Sequence, residues 1–361
     1  MNEVKDTVCS FNNLYKAMRK CKLSVSWKNS VSGYVGNGLS NIYTLKQNLD
    51  NKTYKLDKYQ QFTIFEPKKR NIVSTRFKDR VFQRSLCDNY LYKEITNSFI
   101  NTNCACQLNK GTEYGRIKLK AALQKYYRKH NRSNDGWVLK IDLKNYFGST
   151  THSLAYNSVQ KRVNDSWTLK EIKRVIDSYN QGENPEIGMG LGSQLTQLIQ
   201  LSVLDDLDHI IKEQLHIKYY VRYMDDLILI DKDKEKLLNC LNIIEKWIGD
   251  RELALNKKKT QLFKIKQGIN FLGFKFRLTD TGKVIVTLLP AKLSHERRKL
   301  KRLVNRAKQG YMTKADVDRC FRSWKAHINN QSNRRNKRVK RNCHNLLLSM
   351  DCFYKNLWKE C

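Results

Sequence analysis

Tyr223-Met224-Asp225-Asp226 stands between two short apolar β-type runs, Lys218-Tyr219-Tyr220-Val221-Arg222 before it and Leu227-Ile228-Leu229-Ile230 after it. So short a polar segment between two such runs predicts a β-hairpin with adjacent carboxylates at its turn. Two like charges side by side repel unless a cation neutralises them or water solvates the tip. A third aspartate, Asp142, closes another β run, Trp137-Val138-Leu139-Lys140-Ile141-Asp142. Neighbouring antiparallel strands would bring the three carboxylates within reach of shared cations. Neither His nor Cys lies near them in the sequence, so the donors are oxygen alone and suit Mg2+ over softer metals, with Mn2+ as a substitute. Two Mg2+ held this way clamp the attacking and departing oxygens of an in-line phosphoryl displacement.

The charge balance points the same way. Lys and Arg number 69 against 34 Asp and Glu, a net +35 over 361 residues and far more than solubility needs. A field of that sign suits a polyanion, and phosphate neutralisation supplies most sequence-independent affinity for nucleic acid. The basic residues are interleaved with Trp, Tyr and Phe rather than gathered on one amphipathic helix, which argues against a membrane surface. No apolar stretch approaches the ~18 residues of a membrane span. The start, Met1-Asn2-Glu3-Val4-Lys5-Asp6, has no signal-peptide apolar segment. The ten cysteines are scattered, with Cys104-Ala105-Cys106 the only close pair and no zinc spacing. Reduced thiols in a cytoplasm are the expected state.

The length allows two to three domains or subdomains. Helical spacing begins around Phe11, Leu14 and Met18, and residues 60–73 read as two strands flanking a basic turn. Residues 76–98, 113–130 and 153–181 read as helices. After the glycine-rich 187–193, apolar residues from Leu195 through Leu204 to Leu215 recur every three to four positions, predicting one long helix with a buried face. A helix at 232–250 follows the hairpin, then strands near 261–265, 271–277 and 284–287. Asp79 with Arg80 reads as a helix-surface ion pair, and Asp205, Asp206 and Asp208 as carboxylates solvating the face of His209. Past Pro290, residues 291–342 carry 18 Lys and Arg against 3 acids, and read as basic helices that touch a phosphate backbone.

Several segments, in family order, resemble the motifs of reverse transcriptases. Lys140-Ile141-Asp142-Leu143-Lys144-Asn145-Tyr146-Phe147 resembles motif A, and Tyr223-Met224-Asp225-Asp226 resembles motif C. Arg70-Asn71-Ile72 followed by Phe77-Lys78-Asp79-Arg80-Val81 is similar to the fingers block. Leu255-Asn256-Lys257-Lys258-Lys259-Thr260 is similar to motif D, and Phe271-Leu272-Gly273-Phe274 to the primer grip. The resemblance implies that Asp142, Asp225 and Asp226 are catalytic and hold the metals, with the Leu143 carbonyl as a further ligand. It implies that Lys68 and Arg70 reach the triphosphate, the Arg70 fork being able to take two oxygens at once. Phe147 would stack beneath the incoming sugar and exclude a 2′-hydroxyl; a core aromatic at a strand end is the other reading. Lys259 would assist the pyrophosphate leaving group, or is one more surface lysine in a run of three. Phe271, Leu272 and Gly273 would hold the primer. The implied partners are an RNA template, a DNA or RNA primer and dNTPs.

The family's Gln-Gly-x-x-x-Ser-Pro segment, which packs on the nascent base pair, is here Leu191-Gly192-Ser193-Gln194-Leu195-Thr196-Gln197. An aliphatic Leu191 replaces the first Gln, and Gln197 replaces the Pro. This resembles the reverse transcriptases of diversity-generating retroelements, in which an aliphatic residue here accompanies error-prone copying of template adenines. Losing a polar contact beside the nucleotide weakens discrimination by about 1–3 kcal/mol. An antiphage defence-associated reverse transcriptase, using a structured non-coding RNA and an accessory subunit, is the alternative. A non-catalytic RNA-binding protein of polymerase ancestry is the reading from another class, and an RNA polymerase or terminal transferase a third. The expected fold is α+β, a right-hand polymerase with a small antiparallel palm sheet backed by helices. Fingers come from 1–135 and 151–186, palm from 136–150 and 187–289, and a basic helical thumb from 290–361.

Overall fold

The computed structural model describes residues 3–65, 70–180, 184–331 and 337–359. Four helices (α1 Glu3–Val8, α2 Phe11–Cys21, α3 Asn29–Gly36, α4 Gly38–Asp50) precede β1 Gln60–Ile64 and β2 Arg70–Ser74. Then come α5 Phe77–Leu86, α6 Tyr92–Thr96, α7 Thr112–Lys129, β3 Trp137–Asp142 and the single turn α8 Tyr146–Ser149. Helices α9 His152–Gln160, α10 Ser166–Asp177, α11 Gln194–Val203 and α12 Asp205–His209 lead to β4 Tyr219–Tyr223 and β5 Asp226–Asp231. After them run α13 Lys234–Gly249, β6 Gln261–Lys264, β7 Ile269–Phe271, β8 Phe274–Leu278 and β9 Val284–Leu288. The last described elements are α14 Pro290–Lys308, α15 Lys314–Gln331 and α16 Lys337–Lys359. Helices and small antiparallel sheets are both present, as the α+β expectation has it.

The chain forms two compact units, 1–115 with 137–263 and 116–136 with 264–361. This division falls before the thumb boundary expected at 290, and it also takes 116–136 out of the fingers segment. Strands β7, β8 and β9 pair with one another in a sheet of their own rather than with the strands of the first unit, which moves the break upstream.

In the first unit the sheet order is β4-β5-β3-β6. Alternation along β3 and β5 sends Leu139, Ile141, Leu227 and Leu229 into a core with Leu237, Cys240, Ile244 and Ile248 of α13 and with Leu204, Leu207 and Ile211. Helix α13 starts where the Asp233 carboxylate accepts the backbone N–H groups of Glu235 and Lys236. A second core joins Leu14 and Met18 of α2, Val81 and Phe82 of α5, Val159, Ile172 and Ile176 of α9 and α10, and Leu195 and Leu198 of α11.

Three expected elements are divided. The helical stretch 153–181 splits into α9 and α10, because the Asp165 side chain accepts from Thr168 N at 2.7 Å and begins a new helix. The long helix expected through Leu215 breaks at Leu204 (φ −99°, ψ 6°) and continues as α12 and a π-helical turn, Ile210–Gln214. The strand expected at 271–277 is a hairpin, β7 and β8, turning through Leu272 (φ 48°) and Gly273 (φ 87°). In the second unit, α14, α15 and α16 close around Leu300, Val304, Val317, Phe321, Met350, Tyr354 and Leu357. The segment is helical, as the sequence led one to expect, and described basic residues such as Lys301, Arg302 and Arg322 are exposed, outside that apolar cluster.

Candidate active site

The register of the first unit's sheet sets the site. Strand β3 runs antiparallel to β5 with Trp137 opposite Asp231 at one end and Asp142 opposite Asp226 at the other. Directly opposed residues of an antiparallel pair have Cβ atoms about 4.5–5.5 Å apart, so the two carboxylates face each other across the ladder. Asp225 sits in the turn between β4 and β5, where Tyr223 pairs with Asp226 and Met224 takes φ 55°. A methionine in the left-handed region is uncommon and marks a turn held by its surroundings.

Each facing carboxylate carries a lysine. Lys259 Nζ lies 2.9 Å from both oxygens of Asp142, and Asn256 Nδ2 donates to Asp142 Oδ1 at 3.1 Å. The backbone supports this arrangement, since Asn256 N donates to Asp142 O at 2.7 Å and Lys144 N to Ala254 O at 2.8 Å. Lys140 Nζ is 3.3 Å from Asp226 Oδ2. Asp226 Oδ1 is buried and accepts no hydrogen bond. Leu143 is buried and bridges to Leu255.

Burial pushes the Asp226 carboxyl up from its ordinary 3.8 to about 6; Lys140 opposes the shift, and the charges of Asp142 and Asp225 add to it. All three aspartates are therefore electrostatic neighbours. Among the described residues, however, no three His, Cys, Asp or Glu side chains are gathered as a ready metal cage. The expected convergence of three carboxylates is thus realised as one facing pair with Asp225 beside it. Asp226 opens β5 while Asp225 belongs to the turn, so the two do not lie side by side as strand neighbours on one face. The donors still fit a hard divalent cation. Mg2+ takes one or two carboxylates plus substrate oxygens rather than an all-protein cage, and the orphaned Asp226 oxygen is a lone pair set aside from the protein's own hydrogen bonds.

The raised Asp226 value has a stability consequence in metal-free protein. The folded state keeps its proton to higher pH than the unfolded chain, so this contribution is full below about 3.8 and is lost as pH rises through about 6. Asp226→Asn, which never charges, should therefore gain thermal stability over wild type as pH goes from 4 to 7.5. Melting curves in chelator across that range check it; a pH-independent difference would refute it.

The remaining expected residues divide. Phe147 lies on α8, half-buried, its ring edge-on to Tyr146 at 6.0 Å, and Met189 N donates to its carbonyl at 2.9 Å. Leu191 N donates to Val73 O at 2.9 Å and Leu191 O accepts from Thr75 N, which fastens the segment to β2. Gly192 has φ 93°, and a Cβ there would come 2.9 Å from Ser74 Oγ, so glycine is required. Gln197 is half-buried on α11, whose N-terminus is capped by Ser193 accepting from Thr196 N. Lys68 and the side chain of Arg70 lie outside the described residues. Phe271, Leu272 and Gly273 belong to the second unit. There the Phe271 ring is buried (1% exposed), so it anchors the hairpin and cannot present itself to a primer; the turn residues Leu272 and Gly273 are the more accessible ones.

Other acidic residues proved to be structural. Asp79 is buried, accepting from Tyr54 Oη at 2.5 Å and Asp57 N at 2.9 Å, instead of pairing with Arg80 on the surface. Asp205 is fully buried against Arg162 at 2.7 Å with a longer 3.9 Å approach to His209 Nε2, and Asp208 is fully buried against Arg222 at 2.6 Å, so both are held inside the fold rather than in solvent. Sequence reasoning missed the roles of Asn256, Lys140 and Arg222, although Asn256 and Lys140 stood inside recognised motifs and Arg222 directly before one.

Residues 67–276 match the family described as reverse transcriptase (RNA-dependent DNA polymerase), a class of nucleotidyltransferases. The match takes in more than half of the chain, and the chain belongs to the reverse transcriptase family. No curated protein gives a significant sequence match. Among solved structures the chain is similar to telomerase from Candida albicans in complex with a TWJ fragment of telomeric RNA, at 11% identity and TM-score 0.47, over 75% of this chain and 55% of that one. It is also similar to apo telomerase from Candida tropicalis truncated from its C-terminal domain, at 11% identity and TM-score 0.49, over 69% of this chain and 60% of that one. A second apo telomerase from Candida tropicalis shares 13% identity at TM-score 0.45, over 64% and 48% respectively. The chain thus spans about half to three fifths of these relatives. No described helix is long and apolar enough to cross a membrane, and Cys9, Cys21, Cys87 and Cys240 are not joined in disulfides.

Proposed function

We propose that this chain is an RNA-directed DNA polymerase that adds dNTPs to a primer 3′-hydroxyl on an RNA template. The observation that carries the reading is the register that sets Asp142 against Asp226 on adjacent antiparallel strands, with Asp225 at the turn between them. Divalent cations, two Mg2+ in this reading, would be held by Asp142, Asp225, Asp226 and the Leu143 carbonyl and would supply charge neutralisation at the attacking and departing oxygens.

The chain's own residues do the rest. Lys259 neutralises Asp142 until nucleotide is bound; half-exposed, it is free to swing to the departing pyrophosphate. Lys140 keeps Asp226 ionised against the cost of its burial. Phe147 presents a ring where a 2′-hydroxyl would find no hydrogen bond. Lys68 and Arg70 serve the triphosphate, and the Leu272-Gly273 turn the primer. The net +35 favours the polyanionic template and primer and makes binding strongly salt-dependent. The free thiols suit a reducing compartment such as the cytoplasm.

Primer extension on a defined RNA template, with dNTPs or rNTPs and with the template omitted, tests this. Templated DNA synthesis supports it. Template binding without extension would make the chain an RNA-binding protein, and ribonucleotide or untemplated addition would make it another polymerase.

Within the family, Leu191 favours a retroelement enzyme with relaxed copying of adenines over a defence-associated one working with its own non-coding RNA and accessory subunit. Leu191→Gln is expected to lower misincorporation opposite template adenine about tenfold or more, the worth of one polar contact to the nucleotide. Sequencing of cDNA from both proteins on one adenine-rich template checks it; faithful copying by the wild type would remove the proposal.

A further inference from the structure

Beneath the carboxylate hairpin lies a charge pair that none of the reaction chemistry calls for. Arg222, on β4, and Asp208, on α12, are both fully buried. Arg222 Nε and Nη2 contact the Asp208 carboxylate at 2.6–2.9 Å, and Tyr220 Oη donates to Asp208 Oδ1 at 2.6 Å. The same guanidinium reaches Leu201 O on α11 through Nη2 and Met224 O through Nη1, each at 3.2 Å. Its backbone is equally fixed, Arg222 N donating to Thr102 O and Arg222 O accepting from Cys104 N.

Burying two charges is costly, and apolar replacements of similar volume are often as stable or more so. Stability alone therefore does not account for the pair. What the guanidinium adds is a fork. One arm is held rigidly by Asp208 while the other fastens the carbonyl of Met224, the left-handed residue immediately before Asp225. A lysine has a single ammonium and cannot span both.

We propose that Arg222 is a positioning residue, with Asp208 its holder: together they fix the Met224 turn and so the placement of Asp225 and Asp226. The inference rests on the polymerase reading above. A loosened turn misplaces the carboxylates, and about 1 Å of misplacement costs up to about a hundredfold in rate.

The test compares wild type, Arg222→Lys and the double variant Arg222→Met with Asp208→Leu, measuring thermal stability, kcat and KM for dNTP, and the Mg2+ concentration for half-maximal extension. Both variants are expected to fold. Each should lose ten- to a hundredfold in kcat and need several-fold more Mg2+, with KM for dNTP within about twofold. Normal kcat and Mg2+ requirement in the folded double variant would overturn the proposal. So would failure of both variants to fold, which would make the pair a prop of the fold. An inactive wild type would instead sink the polymerase reading itself.

Discussion

Asp226→Asn should slow nucleotide addition by a factor on the order of 10³ to 10⁴, the equivalent of several kcal/mol of lost charge stabilisation at the reacting oxygens. Template-primer affinity should change little, because one carboxylate adds almost nothing to a surface of net +35. The substitution keeps the shape of the side chain and removes only its charge. Asp226 is also the residue whose environment is most specialised: one oxygen 3.3 Å from Lys140, the other buried without a partner, and a carboxyl pushed up to about 6. Asp142→Asn should behave alike, since it leaves Lys259 and Asn256 facing a neutral amide. Single-turnover extension beside an equilibrium binding assay measures both effects. A variant rate within tenfold of wild type would mean that the facing pair does not carry the chemistry.

Phe147→Ala is the second large effect. The ring is set by its neighbours. Tyr146 is anchored by its hydroxyl donating to Gln200 O at 2.6 Å, and Phe147 meets it edge-on at an interplanar angle of 76°. Held this way, the ring cannot easily retreat from a bulkier sugar. Truncation to Ala opens that space, and ribonucleotide acceptance should rise by about 10–200-fold relative to deoxynucleotide, the range one apolar contact group can discriminate. Incorporation of dNTPs should fall only a few-fold. Competition between a dNTP and its rNTP partner on one template decides it, and an unchanged sugar preference would return Phe147 to the role of a packing aromatic.

Much of the site was readable in the chain because its signals are local. The short apolar runs on either side of Tyr223-Met224-Asp225-Asp226 leave room for nothing but a hairpin, and β3 announces itself by a similar apolar run. What local pattern does not carry is register and partner. That Asp142 opposes Asp226 follows from how β3 slides along β5, and that Lys259 and Asn256 reach Asp142 follows from a chain segment more than a hundred positions away. The acidic run at 205–208 looked solvated because its partners lie outside its own helix: Arg162 is more than forty positions upstream and Arg222 on a strand beyond the next turn, and only the fold brings them to Asp205 and Asp208. Element breaks were hidden for a related reason. Leu204 interrupts a helix without the Gly or Pro that usually signals it, and Leu272 takes a positive φ that only Gly273 beside it advertises.

The most direct test is to count divalent cations at the site. Bound Mn2+ can be titrated by electron paramagnetic resonance on the wild-type complex with RNA template, dNTP and a primer lacking its 3′-hydroxyl. Two Mn2+ per complex are expected in the wild type, and fewer in Asp142→Asn and Asp226→Asn. Equal occupancy in all three proteins would show that these oxygens are not where the ions sit.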